Sequence, residues 1–204
     1  MKKNLVTALI ASTLAMTTSA YAILPGFYVG AQPGYSMLHY NNSTLNATTS
    51  SINNNGFGAR VYGGYQFSQT WSTELGFEQF AVATFSNVTA NNGVSNIYGT
   101  AKINAIDLVG KLTYPLSNSG FEVFGKLGGA YTIASISNVI SNNGGPNSTN
   151  KFLFTYGLGL SYDICPEIGT DLTWMRIQNS GSNNNTTSIT NADLFSAGIS
   201  YYFG

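Results

Sequence analysis

The single histidine marks the place where catalysis would be expected. His39 lies close to Ser43 in a stretch rich in Asn, Ser and Thr, and Asp193 is the one carboxylate expected near the same end of the fold. A serine nucleophile needs a base and a third group that orients the base. The polar stretch at 86–100 contains no Asp or Glu that could take part. We therefore predict a solvated histidine and no catalytic residues.

Other chemistries lack the residues that they require. No cluster of His, Cys, Asp and Glu has the spacing of metal ligands, and no G-x-x-x-x-G-K-[ST] phosphate loop occurs. Cys165 is the single cysteine, so a disulfide framework within the chain is excluded. Its thiol could pair with another chain, but a turn residue without a partner is the simpler interpretation. We expect no cofactor and no metal site.

The composition bounds the class of protein. The 204 residues suit one domain, and 8% of them are charged, against about 25% in soluble domains. Aromatic residues reach 13%, which argues against disorder, and the formal net charge is zero. A nucleic-acid-binding protein is not expected, because phosphate contacts need clustered Lys and Arg. Beyond the N-terminus, no apolar run approaches the roughly 20 residues that a membrane-spanning helix needs.

The N-terminus has the pattern of a secretory signal peptide, residues 1–22. Two lysines precede an apolar run at 5–16. Ala20 and Ala22 are small residues at the two positions that a signal peptidase reads. We predict cleavage after Ala22, which leaves residues 23–204 as one domain. An uncleaved membrane anchor is the alternative.

Beyond this segment, aromatic and Gly-rich segments alternate with polar stretches that cannot bury a core and are predicted to be loops. The polar stretches span 41–55, 86–100, 138–150 and 179–191, and the short turns lie at 68–70, 115–120 and 165–167. The eight predicted strands are 26–38, 57–67, 71–84, 102–114, 121–136, 152–163, 168–178 and 193–203. Long and short connections that alternate strictly are typical of an outer-membrane β-barrel, with long external loops and short periplasmic turns.

Within the predicted strands, apolar and polar side chains alternate with period 2. In the last strand Phe195, Ile199 and Tyr201 share one face, whereas Ser196 and Ser200 share the other. Nearly every charge in a strand falls on the small, polar side of this alternation. The pattern predicts a barrel with a polar inside and an apolar outside, the reverse of a soluble barrel.

Aromatic residues gather beside the short turns. Seven lie at strand ends there, namely Tyr65, Phe67, Trp71, Tyr114, Phe121, Tyr162 and Phe203. On outward-facing positions they would form the aromatic girdle of a membrane interface, although aromatic residues also favour strands in general. At the opposite end Arg176 shares the outward face of Trp174, where a long side chain can reach lipid headgroups.

Short motifs mark the predicted strands in a definite order. They are Gly-Phe-Tyr-Val-Gly-Ala at 26–31, Gly-Gly-Tyr-Gln at 63–66, Glu-Leu-Gly-Phe at 74–77, Gly-Lys-Leu-Thr-Tyr-Pro at 110–115, Lys-Leu-Gly-Gly at 126–129, Pro-Glu-Ile at 166–168 and Gly-Ile-Ser-Tyr-Tyr-Phe-Gly at 198–204. In order and spacing, residues 23–204 resemble the OmpA-type eight-stranded outer-membrane β-barrels.

This resemblance implies an all-β fold: an antiparallel, up-and-down transmembrane barrel in the outer membrane of a Gram-negative bacterium. The terminal Tyr-x-Phe is similar to the signal read by the barrel assembly machinery, except that Gly204 follows Phe203. The sequence stops at the barrel, so the peptidoglycan-binding domain that longer members carry in the periplasm is not expected.

Four charged residues on the inward-facing side are predicted to form a layer across the lumen: Glu74, Lys111, Lys126 and Asp171. Strand pairing would bring Glu74 close to Lys111, and buried charges must be paired or hydrated. Glu78, Asp107 and Glu122 are candidates to extend the layer.

The resemblance implies that such a layer blocks or gates the lumen. Asp171 stands where the family usually has a basic residue, and Ser161 stands where it has an acidic one, so Lys126 is the candidate to compensate. The layer either gates a narrow polar path or fills the lumen and fixes the register. Filling is the preferred interpretation, because an eight-stranded barrel is narrow.

The preferred function is a structural or surface-interaction role, in which the barrel anchors four polar loops for adhesion, shielding or envelope integrity. A small porin-like channel for water or small solutes is the alternative, and a lipid A-modifying enzyme that uses His39 is less favoured. The expected partners are outer-membrane lipid and lipopolysaccharide, the barrel assembly machinery at the C-terminal strand, and a host or surface ligand at the loops.

Overall fold

The fold consists of β-strands and their connections. A computed structural model describes residues 25–40, 47–90, 97–116, 120–138, 147–179 and 190–203. Its strands are β1 Gly26–Leu38, β2 Ala47–Asn53, β3 Asn55–Gln66, β4 Trp71–Gln79, β5 Ala83–Ala90, β6 Ile97–Pro115, β7 Phe121–Asn138, β8 Asn147–Cys165, β9 Ile168–Gln178 and β10 Ala192–Tyr202. The predicted signal peptide and Ser43 lie outside the described residues. No helix among the described residues is long and apolar enough to cross a membrane.

Eight of these strands close into an antiparallel barrel. Their order is β1, β3, β4, β6, β7, β8, β9 and β10, and the ring closes because β10 pairs with β1. β2 and β5 lie outside this ring, where they pair with each other, and β5 also pairs with β6. The predicted eight-stranded antiparallel barrel is confirmed.

The strand bounds follow the sequence pattern, with several differences. β6 and β8 each begin five residues before the predicted strands, and β4 ends at Gln79 where the predicted strand ran to 84. β1 and β9 begin and end where they were predicted, at 26–38 and 168–178. The polar stretches at 41–55 and 86–100 were predicted to be loops, but they contain β2 and most of β5. Their Thr and Ser residues are compatible with a strand once a neighbouring strand is available to pair with.

The two ends of the barrel differ in their connections. Residues 67–70, 116–120 and 166–167 make the short links between consecutive ring strands, and we call this the turn end. The longer connections lie at the opposite end, which we call the loop end. The links between consecutive ring strands therefore alternate between long and short, as the sequence predicted.

The outer surface of the barrel is apolar. On β10, Phe195, Ile199 and Tyr201 are about half exposed, whereas Ser196 and Ser200 are buried inside. Other ring strands show the same alternation, which places large apolar side chains on the outside. An apolar exterior of this kind is the surface that a membrane-spanning barrel presents to lipid.

The interior is polar at the turn end and in the middle, but apolar at the loop end. A cluster of buried side chains, here called the apolar plug, comprises Leu38, Tyr40, Phe80, Ala83, Phe85, Ala101, Ile103, Ala105, Ala130, Ala134, Leu153, Ile177, Ala192 and Leu194. The prediction of a polar inside is therefore wrong for this end. Inward-facing Ala, Ile and Leu residues pack together here and exclude water from the mouth of the barrel.

Candidate functional site

A buried group of charges occupies the middle of the lumen. It comprises Arg60, Glu74, Glu78, Asp107 and Lys126, here called the lumen ion cluster, and each residue is 3% exposed or less. Arg60 Nη1 lies 2.7 Å from Glu74 Oε2, and Arg60 Nη2 lies 2.6 Å from Asp107 Oδ1. Lys126 Nζ lies 2.8 Å from the same Glu74 oxygen. Charge-assisted contacts at these distances are strong, because little water is present to compete.

The strand register explains why these residues meet. Arg60 pairs directly with Glu78 across β3 and β4, and Gly76 pairs with Asp107 across β4 and β6. Gly76 faces inward between Glu74 and Glu78, and a Cβ there would collide with the Asp107 carboxylate and lie 2.7 Å from Arg60 Nε. The missing side chain therefore leaves the space in which the guanidinium lies.

The lumen ion cluster contains more carboxyl groups than cations. Arg60 and Lys126 face three carboxylates, those of Glu74, Glu78 and Asp107. Both carboxylate oxygens of Glu78 lack a hydrogen-bond partner, and the nearest guanidinium contact, to Arg60 Nε, is 3.6 Å long. An uncompensated buried carboxylate is costly, so Glu78 is the least favourable member of the cluster.

The four residues of the predicted charge layer have different partners in the structure. Glu74 and Lys126 form an ion pair. The Lys111 ammonium lies 4.4 Å from the centre of the Phe124 ring, a cation–π contact. Asp171 accepts hydrogen bonds from Gln32 Nε2, at 2.5 Å, and from Thr173 Oγ1. Asp171 is thus held by neutral donors.

Arg60 was not among the residues predicted for the charge layer. Its position in the sequence could have identified it, because Arg60 is a cation on the polar side of the strand next to the strand of Glu74. Glu78 and Asp107, named as possible extensions, lie beside Arg60. Glu122, the third candidate, instead accepts a hydrogen bond from Ser161 Oγ at 3.0 Å.

Tyrosine side chains connect the lumen ion cluster to the turn end. The Tyr28 hydroxyl lies 3.1 Å from Glu74 Oε1 and 3.2 Å from Ser72 Oγ. The Tyr62 ring lies against both the Arg60 guanidinium and the Lys126 ammonium, with distances of 4.7 and 5.1 Å to its centroid. These rings fill the lumen beside the charges.

The aromatic residues predicted for the girdle lie at the turn end. Phe67, Trp71, Tyr114, Phe121, Tyr162 and Phe203 are each exposed on 40% or more of their surface, and Tyr65 is partly buried. Tyr65 packs edge-on against Phe27 and Phe67. This belt is the arrangement expected of side chains at a membrane–water interface.

The predicted rim residues meet at the loop end. His39 Nε2 lies 2.6 Å from Asp193 Oδ2, and the Arg176 guanidinium donates to both oxygens of the same carboxylate, at 2.7 and 2.6 Å. Trp174 Nε1 donates to Asp193 Oδ1 at 3.1 Å. We call His39, Arg176 and Asp193 the outer rim cluster. Both contacts recorded for His39 Nε2 among the described residues are with these charged groups.

The described part of the chain contains no group of residues arranged to bind a cofactor or to use a thiol in catalysis. No group of three or more His, Cys, Asp and Glu residues there could hold a metal ion. Cys165 is a free cysteine at the end of β8, partly exposed beside the turn at 166–167.

Comparison with known proteins decides the family. The signature of the OmpA-like transmembrane domain matches residues 25–204, a range that includes the whole described barrel. The chain belongs to the OmpA-like transmembrane domain family. Outer membrane protein A of Escherichia coli O157:H7 is 28% identical over 184 residues, which cover 87% of this chain and 48% of that protein. The chain spans about half the length of the curated relatives it matches.

Solved barrels share the OmpA-like fold. Neisserial surface protein A has a TM-score of 0.60 at 15% identity, covering 87% of this chain and 97% of that one. Ail, the attachment invasion locus protein of Yersinia pestis, has a TM-score of 0.54 at 16% identity, covering 88% and 100%. A second Ail structure, in complex with the heparin analogue sucrose octasulfate, has a TM-score of 0.50 at 18% identity, covering 87% and 99%.

Family membership places the OmpA-like barrel in the membrane. It is an integral β-barrel of the Gram-negative outer membrane. In such barrels the short turns face the periplasm and the longer connections face outward. The apolar plug and the outer rim cluster therefore lie toward the cell exterior.

Proposed function

We propose that this barrel is a closed anchor that holds four polar segments at the cell surface and neither conducts solutes nor catalyses a reaction. The apolar plug is the observation that carries the proposal. Leu38, Phe80 and Ile103 are 3% exposed or less, and all three face inward at the loop end. Dry apolar packing across a narrow lumen opposes the passage of water and ions.

The lumen ion cluster adds a second layer of closure below the plug. Arg60 is fully buried between Glu74 and Asp107, so its guanidinium fills the centre of the barrel. A solute would have to separate these pairs, at a cost of several kcal/mol each in a low-dielectric interior. The buried charges thus mainly fill the lumen and fix the register in which the strands pair.

The absence of catalysis is supported by the partners of His39. Its Nε2 contacts the carboxylate of Asp193 and the guanidinium of Arg176. Among the described residues no Ser or Thr hydroxyl contacts the imidazole, so the His39–Asp193 pair lacks a nucleophile there. The cluster is consistent with a structural rim rather than with a hydrolase.

The surface partner is proposed to be recognised without strong charge. The segments 41–55, 86–100, 138–150 and 179–191 contain no Asp, Glu, Lys or Arg. Long-range steering of a charged ligand is therefore weak, and Asn, Ser and Thr side chains offer neutral hydrogen bonds instead. A neutral saccharide or polypeptide surface fits this chemistry better than a polyanion like the heparin analogue bound to Ail.

Conductance of the purified protein in a planar lipid bilayer tests closure. We expect no discrete current steps from the native sequence, and none from Glu74→Ala, because the plug stays in place. Steps in the native protein would refute the anchor proposal. They would favour the alternative, a small channel, for which the polar lower lumen is the supporting observation.

The surface role is tested on whole cells. A variant in which 179–191 is replaced by a Gly/Ser linker of equal length should reach the outer membrane at the native level but bind host cells or abiotic surfaces less well. Equal binding by all four such linker variants would contradict the surface-interaction proposal.

A further inference from the structure

An apolar groove lies on the lipid-facing side of the barrel, directly below the outer rim cluster. It spans β7 to β10 with a volume of about 640 Å³, and its lining includes Leu158, Leu160, Leu172, Trp174 and Phe195. The three leucines are 48% exposed or more, so they stand clear of the strand backbone and form walls. The groove is shallow and open toward the lipid.

Trp174 joins the groove to the outer rim cluster. Its ring lies 6.4 Å from that of Phe195, and the two form the outer end of the groove. Its indole N–H donates to Asp193, and the Arg176 guanidinium lies 5.8 Å from its ring centre. One side chain therefore has an apolar face toward the groove and a polar edge toward the charges, as expected at a membrane interface.

The outer rim cluster exposes its imidazole and its guanidinium and buries its carboxylate. The side chains of His39 and Arg176 are 45% and 27% exposed, whereas that of Asp193 is 6% exposed. A headgroup that approaches from the membrane plane thus meets an imidazole and a guanidinium, with the carboxylate covered behind them. Guanidinium groups recognise phosphate oxygens particularly well.

We propose that the groove and the outer rim cluster together form a seat for one outer-leaflet lipid with an anionic phosphate headgroup. An acyl chain lies along Leu158, Leu160 and Leu172, and the phosphate contacts Arg176 and His39. This inference rests on the location of the barrel in the outer membrane and not on closure of the lumen. A conducting barrel would leave it intact.

The two tryptophans of the sequence allow a direct test. Trp71 lies at the turn end, so Trp71→Phe leaves Trp174 as the one indole and makes it a reporter of the groove. The protein is placed in lipid nanodiscs, and its fluorescence is quenched with chain-brominated phosphatidylglycerol or with chain-brominated phosphatidylcholine. We expect the anionic lipid to be preferred about five-fold, the effect of the one exposed guanidinium of Arg176.

Matched charge removals separate the seat from general attraction. Arg176→Gln with His39→Gln should abolish the preference, and Arg176→Lys should keep most of it. Lys102→Gln removes one exposed cation from β6, on another part of the barrel, and should leave the preference unchanged. If the double variant does not fold, His39→Gln alone, at a half-exposed site, should still reduce the preference.

Three results would overturn the proposal. Equal quenching by both lipids would mean ordinary lipid solvation of the barrel. A preference that survives in the double variant would place the contact elsewhere. If millimolar inorganic phosphate abolishes the preference while both lipids still quench Trp174 equally, the result would indicate an ion site and not a lipid seat.

Discussion

Arg60 Nη1 lies 2.7 Å from Glu74 Oε2, and neither side chain is exposed. The pair lies between adjacent strands, and the same guanidinium reaches Asp107 on a third strand. One arginine therefore connects β3, β4 and β6 across the middle of the barrel. Because its partners are fully buried, the stability of the barrel should depend on this side chain.

Arg60→Gln should destabilise the folded barrel by about 3–5 kcal/mol, because the carboxylate of Asp107 loses its cation while it stays buried. The free energy of unfolding can be measured by urea titration in detergent micelles with tryptophan fluorescence. Lys102→Gln removes an exposed cation and serves as the control, with an expected change within about 0.5 kcal/mol. A loss below about 1 kcal/mol for Arg60→Gln would contradict the central role of this arginine.

Glu78→Gln should have the opposite effect, although Glu78 lies beside the same arginine. Its carboxyl oxygens have no hydrogen-bond partner, and it is the third carboxyl group beside two cations in the lumen ion cluster. The amide keeps the volume of the side chain, so the change should stabilise the barrel by about 0–2 kcal/mol or leave it unchanged. The same urea titration applies. Destabilisation comparable with that of Arg60→Gln would show that Glu78 is a full partner of the guanidinium.

Gly76→Ala should displace the arginine from its contacts. The added methyl group would collide with the Asp107 carboxylate and approach Arg60 Nε, so the guanidinium and its partners must shift. We expect a loss of about 1–3 kcal/mol, as for other overpacked interiors. Gly63→Ala is the matched control on the neighbouring strand, because its nearest atom, the Tyr28 carbonyl oxygen, lies 4.0 Å away. Equal stability of the two variants would mean that Gly76 is not needed for space.

Much of this fold could be predicted because each ring strand carries its own period-2 signal. Phe195, Ile199 and Tyr201 face outward, and the limits of β1 and β9 were predicted correctly. Each of these features depends on one strand and its turns, and local patterning is enough to specify it. The long-range closure of the barrel followed from the number of strands and the alternation of links.

Structural features that depend on the relative positions of several strands were not predicted. Contacts of Arg60 depend on the relative stagger of β3, β4 and β6, which no single strand encodes. The apolar plug was missed because Ala105 and Ala130 are small residues that suit a polar or an apolar interior equally well. β2 and β5 were missed because their Asn, Ser and Thr residues have no apolar alternation.

Tyr40 and Phe85 should stabilise the loop end jointly, even though one precedes β2 and the other lies on β5. Both are buried in the apolar plug, and their rings meet edge-on with centroids 5.4 Å apart. Phe85→Ala should cost about 3–5 kcal/mol through the cavity that it leaves. Because the rings touch, Tyr40→Ala and Phe85→Ala together should cost less than the sum of the two, with a coupling of about 0.5–1.5 kcal/mol. The control cycle combines Tyr40→Ala with Tyr114→Ala at the turn end, and these changes should be additive. If both cycles are additive in the urea titration, the strands outside the ring do not contribute to closure of the mouth.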